Sequence, residues 1–293
     1  MRHLSRDKTV PCPQRYRVFD PVMTIEAGET IVVETINHMT PIVESEADLH
    51  AHGTPEYRER EETGPIFVRG AAPGDMLAIR IEDIQIVGLP HAHGAGPLVD
   101  RFPQQPKVFP VEQGRCFLTS GLSVPVAPMV GDIYTTPPEE KATHYDHGGN
   151  MDFTEIKPGN TLYLPVYHDG GLLVLGDVHA AQGDGEVFGE GAETAADVTV
   201  TIDIDRRLHG ERPIVETPDS WVCLACRGPL FDSLTQALDD SVALFSRLHD
   251  TSPADAYVFC ATVGSVRFGG TLFRRELAEG SCLVGFSVPK EVG

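Results

Sequence analysis

A chain of 293 residues carrying 43 Asp and Glu against 23 Lys and Arg, a formal net charge of −20, presents a surface that repels phosphate backbones and anionic lipid headgroups, which excludes nucleic acid and membrane surfaces as natural partners. No apolar run approaches the roughly 20 residues that a membrane-spanning helix needs, and the opening MRHLSRDKTVPCPQRYRVF lacks the apolar centre of a signal peptide, so a cytoplasmic location is expected. With 29 Gly and 23 Pro, the chain predicts many short strands joined by tight turns rather than a helical protein.

In chain order, the first device is a turn followed by a strand, and it occurs three times. EAGETIVVETI (Glu26 to Ile36), APGDMLAIRIEDI (Ala72 to Ile84) and KPGNTLYLPV (Lys157 to Val166) each place Gly before Glu, Asp or Asn and then an alternating or apolar run. Glycine at positive φ makes the turn, and Val, Ile, Leu and Tyr at period two read as half-buried strand. Further strands are predicted at Ile66 to Val68, Leu172 to Leu175, Val198 to Ile204, Ile214 to Glu216 and Val222 to Leu224. The stretches Pro90 to Val108 and Pro137 to Gly149 carry no helix or strand signal and read as long loops. After residue 231 the period changes. Leu234, Leu238, Val242, Phe245 and Leu248 recur at helical spacing behind Asp232 or Ser233 as N-cap, and Ser252-Pro253 starts a second, short helix. GSCLVGFSVP closes the chain as a strand. The whole is read as one unit, 1–293, with a subdivision into a β body, 1–230, and a helix-containing portion, 231–293.

Six cysteines are too dispersed for a disulfide scaffold, and the one close pair, Cys223 and Cys226 in CLAC, reads as two strand residues rather than a metal or redox motif. The pairs His50/His52 and His91/His93 could chelate a metal on strands but sit among Gly, Ala and Pro, and so read as exposed loop histidines. An amidohydrolase barrel built on them would need regularly alternating helices, which the pattern lacks. Ser120 and Ser123 have no marked base, and no G-x-S-x-G elbow is present.

Two segments concentrate polar groups where glycine lets the backbone come close. In HGGNMD (His147 to Asp152), Asn150 and Asp152 share a face of an extended backbone. In GDVHAAQGDGE (Gly176 to Glu186), Asp177 and His179 share one, and Asp184 and Glu186 repeat the spacing. Carboxylates and an imidazole converging on one point repel each other unless a cation or protons relieve them, so the choice lies between a metal site, an acid/base pair and a solvated acidic turn.

These residues, with TGPIFVRGAAPGDMLAIRIEDI (Thr63 to Ile84) and GNTLYLPVYHDGGLLVLGDVHAAQGDGEVFG (Gly159 to Gly189), resemble the acetamidase/formamidase family over about residues 20 to 290; PMVGDIYTTP (Pro128 to Pro137) fits more loosely. The resemblance implies a mainly β fold, sandwich-like or barrel-like, with a small C-terminal α/β portion. It implies hydrolysis of small linear or cyclic amides to carboxylate and ammonia or amine, a bound divalent metal (zinc, or calcium in its place), and a cytoplasmic homo-oligomer, dimer or tetramer. The family's functional cluster falls on Asn150, Asp152, His179, Gln182, Asp184 and Glu186. On that footing His179, Asp152, Asp177 and His38 are the metal candidates. Glu186 is the general base, Asn150 orients the amide or stabilises the oxyanion, Asp184 joins them as a catalytic carboxylate, and Gln182, Tyr134 and Gly149 face the substrate.

Two departures from the family pattern stand out. Asn37 occupies the place of an aspartate, with His38 beside it as a substitute ligand, and Tyr134 replaces a small residue, which is expected to narrow the pocket against acetamide and formamide. They support an alternative expectation, an altered paralogue that binds a small amide or metabolite without hydrolysing it.

Overall fold

The computed structural model describes residues 1–12, 18–37, 42–51, 60–93, 96–103, 105–138, 145–270 and 282–290; the side chains of Cys12, His50, Ala51 and Arg60 are outside that description. In chain order the elements are β1 (Arg2–Leu4), β2 (Thr9–Cys12), β3 (Met23–Ile25), β4 (Glu29–Glu34), α1 (Glu46–Ala51), β5 (Arg60–Val68), β6 (Met76–Ala92) and β7 (Lys107–Val108). A meander follows, β8 (Val111–Glu112), β9 (Arg115–Thr119) and β10 (Leu122–Pro125), and then β11 (Met129–Thr135), β12 (Gly148–Asn150), β13 (Thr161–Pro165), β14 (Leu173–His179) and β15 (Glu193–Asp205). The chain ends with β16 (Ile214–Glu216), β17 (Ser220–Cys226), α2 (Leu230–His249), α3 (Pro253–Val263), β18 (Ser265–Gly269) and β19 (Leu283–Pro289).

The fold is mainly β, as expected. One sheet runs in the order β12-β11-β14-β15-β6-β13-β16-β17-β19-β18, with β1 to β5 and β7 joined along its flanks; β8 to β10 form a separate small sheet. The large sheet folds over itself, because its two ends meet: the N–H of Gly270, just past β18, donates to the carbonyl of Met151, just past β12, at 2.6 Å, and Gly285 of β19 lies against the Phe153 ring. All three turn-and-strand devices form: Gly28, Gly74 and Gly159 have φ of 81°, 95° and 92°, the first directly before its strand and the other two one residue short of theirs. A Cβ at any of them would meet nothing within 4 Å, so it is conformation and not space that calls for glycine there.

Strands β6 and β15 pair over most of their length and change phase together. The register steps between Thr199 and Val200, opposite Asp83 and Ile81, and the extra residue is Glu82, exposed beside exposed Asp83. This bulge explains the two consecutive acids between Ile81 and Ile84 in an otherwise alternating strand.

Several predicted boundaries shift. β6 continues through Pro90 to Ala92, into a stretch expected to be a long loop, and β15 starts at Glu193 rather than Val198. Helix α2 starts at Leu230, capped by Pro229 and not by Asp232 or Ser233. The Pro229 carbonyl accepts from the N–H of both those residues, and the Ser233 hydroxyl accepts from the Arg227 N–H instead. The second helix is as expected: the Ser252 hydroxyl accepts from the Asp255 N–H, with Pro253 at the first helical position. α2 packs Leu234, Leu238, Val242 and Phe245 against β17 and β19, while Leu248 stays exposed. Cys223 and Cys226 are free and buried in β17, and burial pushes their thiols up to about 12 and about 11, which makes them inert core residues.

Candidate active site

Strands β11 and β14 carry the same dipeptide, Gly131-Asp132 and Gly176-Asp177, and run antiparallel with Asp132 opposite Gly176. Both strands are buried along their whole length, so a carboxylate there needs a neighbour that makes room. Gly131 does so: a Cβ at that position would lie 2.7 Å from both Asp152 Oδ1 and the Asp177 carbonyl oxygen. Gly191 does the same for the imidazole, because its Cβ would lie 2.5 Å from His179 Cγ. At the end of β14 the register sets His179 opposite Glu193 of β15, and Glu193 in turn opposite His91 of β6. Residues directly opposite in an antiparallel pair share a face, so the three form one polar row across three strands.

Three acids of the cluster lie in the left-handed region that favours glycine: Asp152 at φ 41°, Asp177 at 52° and Glu186 at 41°. Each such residue costs about 1–3 kcal/mol, and strain gathered on buried carboxylates is typical of functional positions. The amide of Gln182 ties the cluster together. Its Nε2 donates to the Asp152 carbonyl oxygen at 2.6 Å, which leaves its Oε1 to accept from His179 Nδ1. That hydrogen bond fixes the imidazole tautomer and aims Nε2 at the acids, 3.1 Å from Glu193 Oε1 and 3.4 Å from Asp177 Oδ1. Asn150 Nδ2 donates to Asp152 Oδ2 at 2.8 Å.

Burial, with Glu186 and Asp177 nearby, raises the Asp152 carboxyl well above its usual range. Burial also pushes Glu193 up to about 8, with His179 opposing and Asp177 adding to the rise. Burial works against a charge on His179, but Glu193 and Asp177 outweigh it and hold the imidazole well above its ordinary value. Among the described residues, Asp152 Oδ1, Glu193 Oε2, His179 Nε2 and Asn150 Oδ1 are buried without a hydrogen-bond partner. Two overlapping triads have ligand atoms within 4.8 Å of one another, Asp177–His179–Glu193 and Asp152–His179–Glu186. Mixed imidazole and carboxylate donors around orphaned buried atoms fit a divalent cation.

Of the residues singled out in the sequence, Asp152, Asp177, His179, Gln182, Glu186 and Asn150 come together. Asp184 does not. It lies outside at the surface, accepting from Arg267 at 2.9 and 3.0 Å and from Thr154 at 2.5 Å, because Gly185 and Glu186 both take positive φ and break the expected shared face. Tyr134 packs with Val10 and Val174 and stands edge-on to the His147 ring rather than narrowing a pocket. Gly149 is a strand residue paired with Ile133, and its neighbour Gly148 is the one held by close approach, since a Cβ there would collide with the Ile133 carbonyl. His38 and His52 are outside the described residues, as is the side chain of His50.

The reading of His91 and His93 as exposed loop residues is overturned. His91 ends β6 fully buried, its Nε2 is 3.2 Å from Asn37 Nδ2, and burial brings it down to about 4, so it is neutral. His93 stands edge-on to it, with its N–H donating to Glu190 at 2.7 Å. Glu193 and Gly191 were missed as well. The β15 alternation carried back from Val198 puts Glu193 on the polar face with Asp197 and Thr199, and a register shift between Glu193 and Ala195, which no local pattern signals, alters that placement.

Beside the cluster opens a cavity of about 730 Å³, lined by Gln182, Glu186 and Gly191 from around the cluster and by Leu118, Val124 and Phe109 among others. Glu186 is the one acid of the cluster that reaches it; Tyr134 and Gly149 are not among the described residues lining it.

A sequence profile of the Acetamidase/Formamidase family matches residues 14–140 and 132–220. A formamidase of Methylophilus methylotrophus is 28% identical over 188 residues, 43% of this chain and 46% of that protein. The chain spans about half the length of the curated relatives it matches, 60% and 46% for two of them. Among solved structures, a recombinant predicted acetamidase/formamidase from Thermoanaerobacter tengcongensis superposes with a TM-score of 0.86 at 29% identity, covering 98% of this chain and 95% of that one. An acetamidase from Bacillus halodurans gives a TM-score of 0.81, also at 29% identity, covering 98% and 97%.

Proposed function

Because the chain belongs to the acetamidase/formamidase family, we propose that it is a metal-dependent hydrolase of carbon–nitrogen bonds in small linear or cyclic amides, releasing carboxylate and ammonia or amine. The observation that carries this reading is a buried cluster of four acids and one imidazole in which, among the described residues, Glu186 is the acid that lines a cavity. Asp177, His179 through Nε2, and Glu193 would hold the metal, since Gln182 occupies Nδ1 and both carboxylates face Nε2. When bound, the metal supplies Lewis acidity that polarises the amide carbonyl and makes water more acidic. Zinc suits this donor set, and calcium is the alternative carried over from the resemblance.

Glu186, on the cavity wall, takes the proton from the attacking water and delivers it to the leaving nitrogen. Asp152 lies beside it, its carboxyl raised above the usual range by burial and by its acidic neighbours. Asn150 donates one of its two amide hydrogens to Asp152 and so positions that carboxyl, while its Oδ1, buried without a partner, keeps an acceptor free for the substrate amide. Gln182 fixes the His179 tautomer. A small amide partner, a cytoplasmic setting and a dimeric or tetrameric assembly belong to the same reading; among the described residues no helix is long and apolar enough to cross a membrane.

The test is ammonia release from a panel of linear and cyclic amides with the metal-loaded protein, after chelation, and after metal is restored. Turnover that disappears with chelator and returns with metal is expected. Binding of amides without turnover in the fully loaded protein would instead select the altered paralogue.

A further inference from the structure

We infer that this chain acts on amides bearing an apolar group of about phenyl size, which the cavity beside Glu186 receives; the inference rests on the hydrolase reading above. Acetamide fills the space of about three waters, on the order of 100 Å³, against a cavity of about 730 Å³. Its lining is mostly apolar, with Phe109, Leu118, Val124 and Phe188 beside two charged residues outside the cluster, Lys107 and Glu190. Most of these side chains do not come from the large sheet. Leu118 and Val124 belong to the separate meander β8 to β10, which packs through buried Cys116, Phe109 and Ala192 onto the ends of the strands that carry the cluster. The meander thus adds apolar side chains to a cavity that the acid cluster reaches through Glu186, an arrangement that selects substrate by the size of its apolar part.

The orientation follows from where the lining residues belong. Glu186 is part of the acid cluster and Leu118 and Val124 part of the meander, so an amide placed at Glu186 leaves its apolar group to the meander side chains. Tyr134, the bulky departure from the family pattern, lies in a different apolar cluster and does not limit this space.

The test compares acetamide, hexanamide and phenylacetamide on the metal-loaded protein. Phenylacetamide is expected to exceed acetamide in kcat/KM by about 100-fold, since each buried methylene is worth several-fold. Val124→Trp and Thr119→Trp, the second at an exposed site that does not burden folding, should lower the ratio of phenylacetamide to acetamide kcat/KM at least tenfold. Acetamide equal to or better than phenylacetamide, or a ratio unmoved by both tryptophans, overturns the inference. If no amide is hydrolysed, the hydrolase reading fails by itself, and calorimetric titration with phenylacetamide decides this one. Binding that Val124→Trp weakens supports it, and no binding to the unaltered protein overturns it.

Discussion

Asp184 and Glu186 are two residues apart, and the chain sends them to opposite environments. Asp184 joins Glu155 and Thr154 around the Arg267 guanidinium, and there hydrogen bonds from Arg267 and Thr154 overcome burial and lower its carboxyl below the usual range. Glu186 turns inward to Asp152, whose carboxyl is raised, in a cluster where the charge that steadies the acids is the His179 imidazole. Both regions are acidic, and both lie against the same turn. An acid matched by arginine is a structural tie with little left to react, whereas acids crowded around one imidazole hold protons that chemistry can use.

The sharpest way to break this comparison is to neutralise each member. Glu186→Gln should lower kcat by about 10²- to 10⁴-fold, the usual contribution of a general base. Asp184→Asn should stay within about threefold, since an exposed pair contributes about 1 kcal/mol or less to stability. Ammonia release with the best amide substrate checks both. If Asp184→Asn is as damaging as Glu186→Gln, the arginine-bound group is part of the chemistry and the distinction collapses.

A second contrast lies inside the cluster, between the two triads that share His179. Glu193→Gln should weaken metal binding at least about tenfold, measured as metal retained per chain after dialysis, while Glu186→Gln keeps it. The reverse result would move the metal to Asp152–His179–Glu186 and leave Glu193 as a partner of His179.

Much of this arrangement was legible in the sequence, for reasons local to the backbone. The three glycine turns, the Ser252-Pro253 helix start and the residues Asp152, Asp177, His179 and Glu186 each announce themselves within a few positions, whereas Gln182 came only with the family resemblance. What stayed hidden depends on pairing across strands. Glu193 matters because β15 places it opposite His179, and His91 is buried because β6 outlasts the Gly and Pro that suggested a loop. Asp184 and Glu186 could not be told apart by their spacing, because the i and i+2 rule holds for extended chain and Gly185 and Glu186 have φ of 77° and 41°.

Glycines sharpen the comparison on a smaller scale. Gly191→Ala should cost about 1–3 kcal/mol through overpacking, because its Cβ would press on the His179 ring. Gly74→Ala, at φ 95° with open space around it, should cost about 1–2 kcal/mol from backbone strain. Chemical denaturation reads both losses, but only Gly191→Ala should also weaken metal retention, since it alone displaces a ligand. Equal metal retention in the two variants would mean that the imidazole can shift without consequence.

The smallest effect separates the two regions by pH. Glu155 and Asp184 both have carboxyls lowered in the folded chain, Asp184 from 3.8 and Glu155 from 4.5, despite partial burial, by Arg267 with Lys157 or Thr154. A carboxylate with a lower folded pKa binds protons more readily when unfolded. Its stabilising contribution is therefore complete above about pH 4.5 and is lost as pH falls through the folded values. Arg267→Met removes the cation, so the variant should lose less additional stability than the unaltered protein between pH 5 and 3. Denaturant midpoints across that range measure the difference. The strand-end cluster contributes the opposite sign: Asp152 and Glu193 have raised folded values and hold their protons more tightly in the folded chain, so acid relieves their repulsion. An acid limb as steep in Arg267→Met as in the unaltered protein would show that the arginine network is not what distinguishes Asp184 from Glu186.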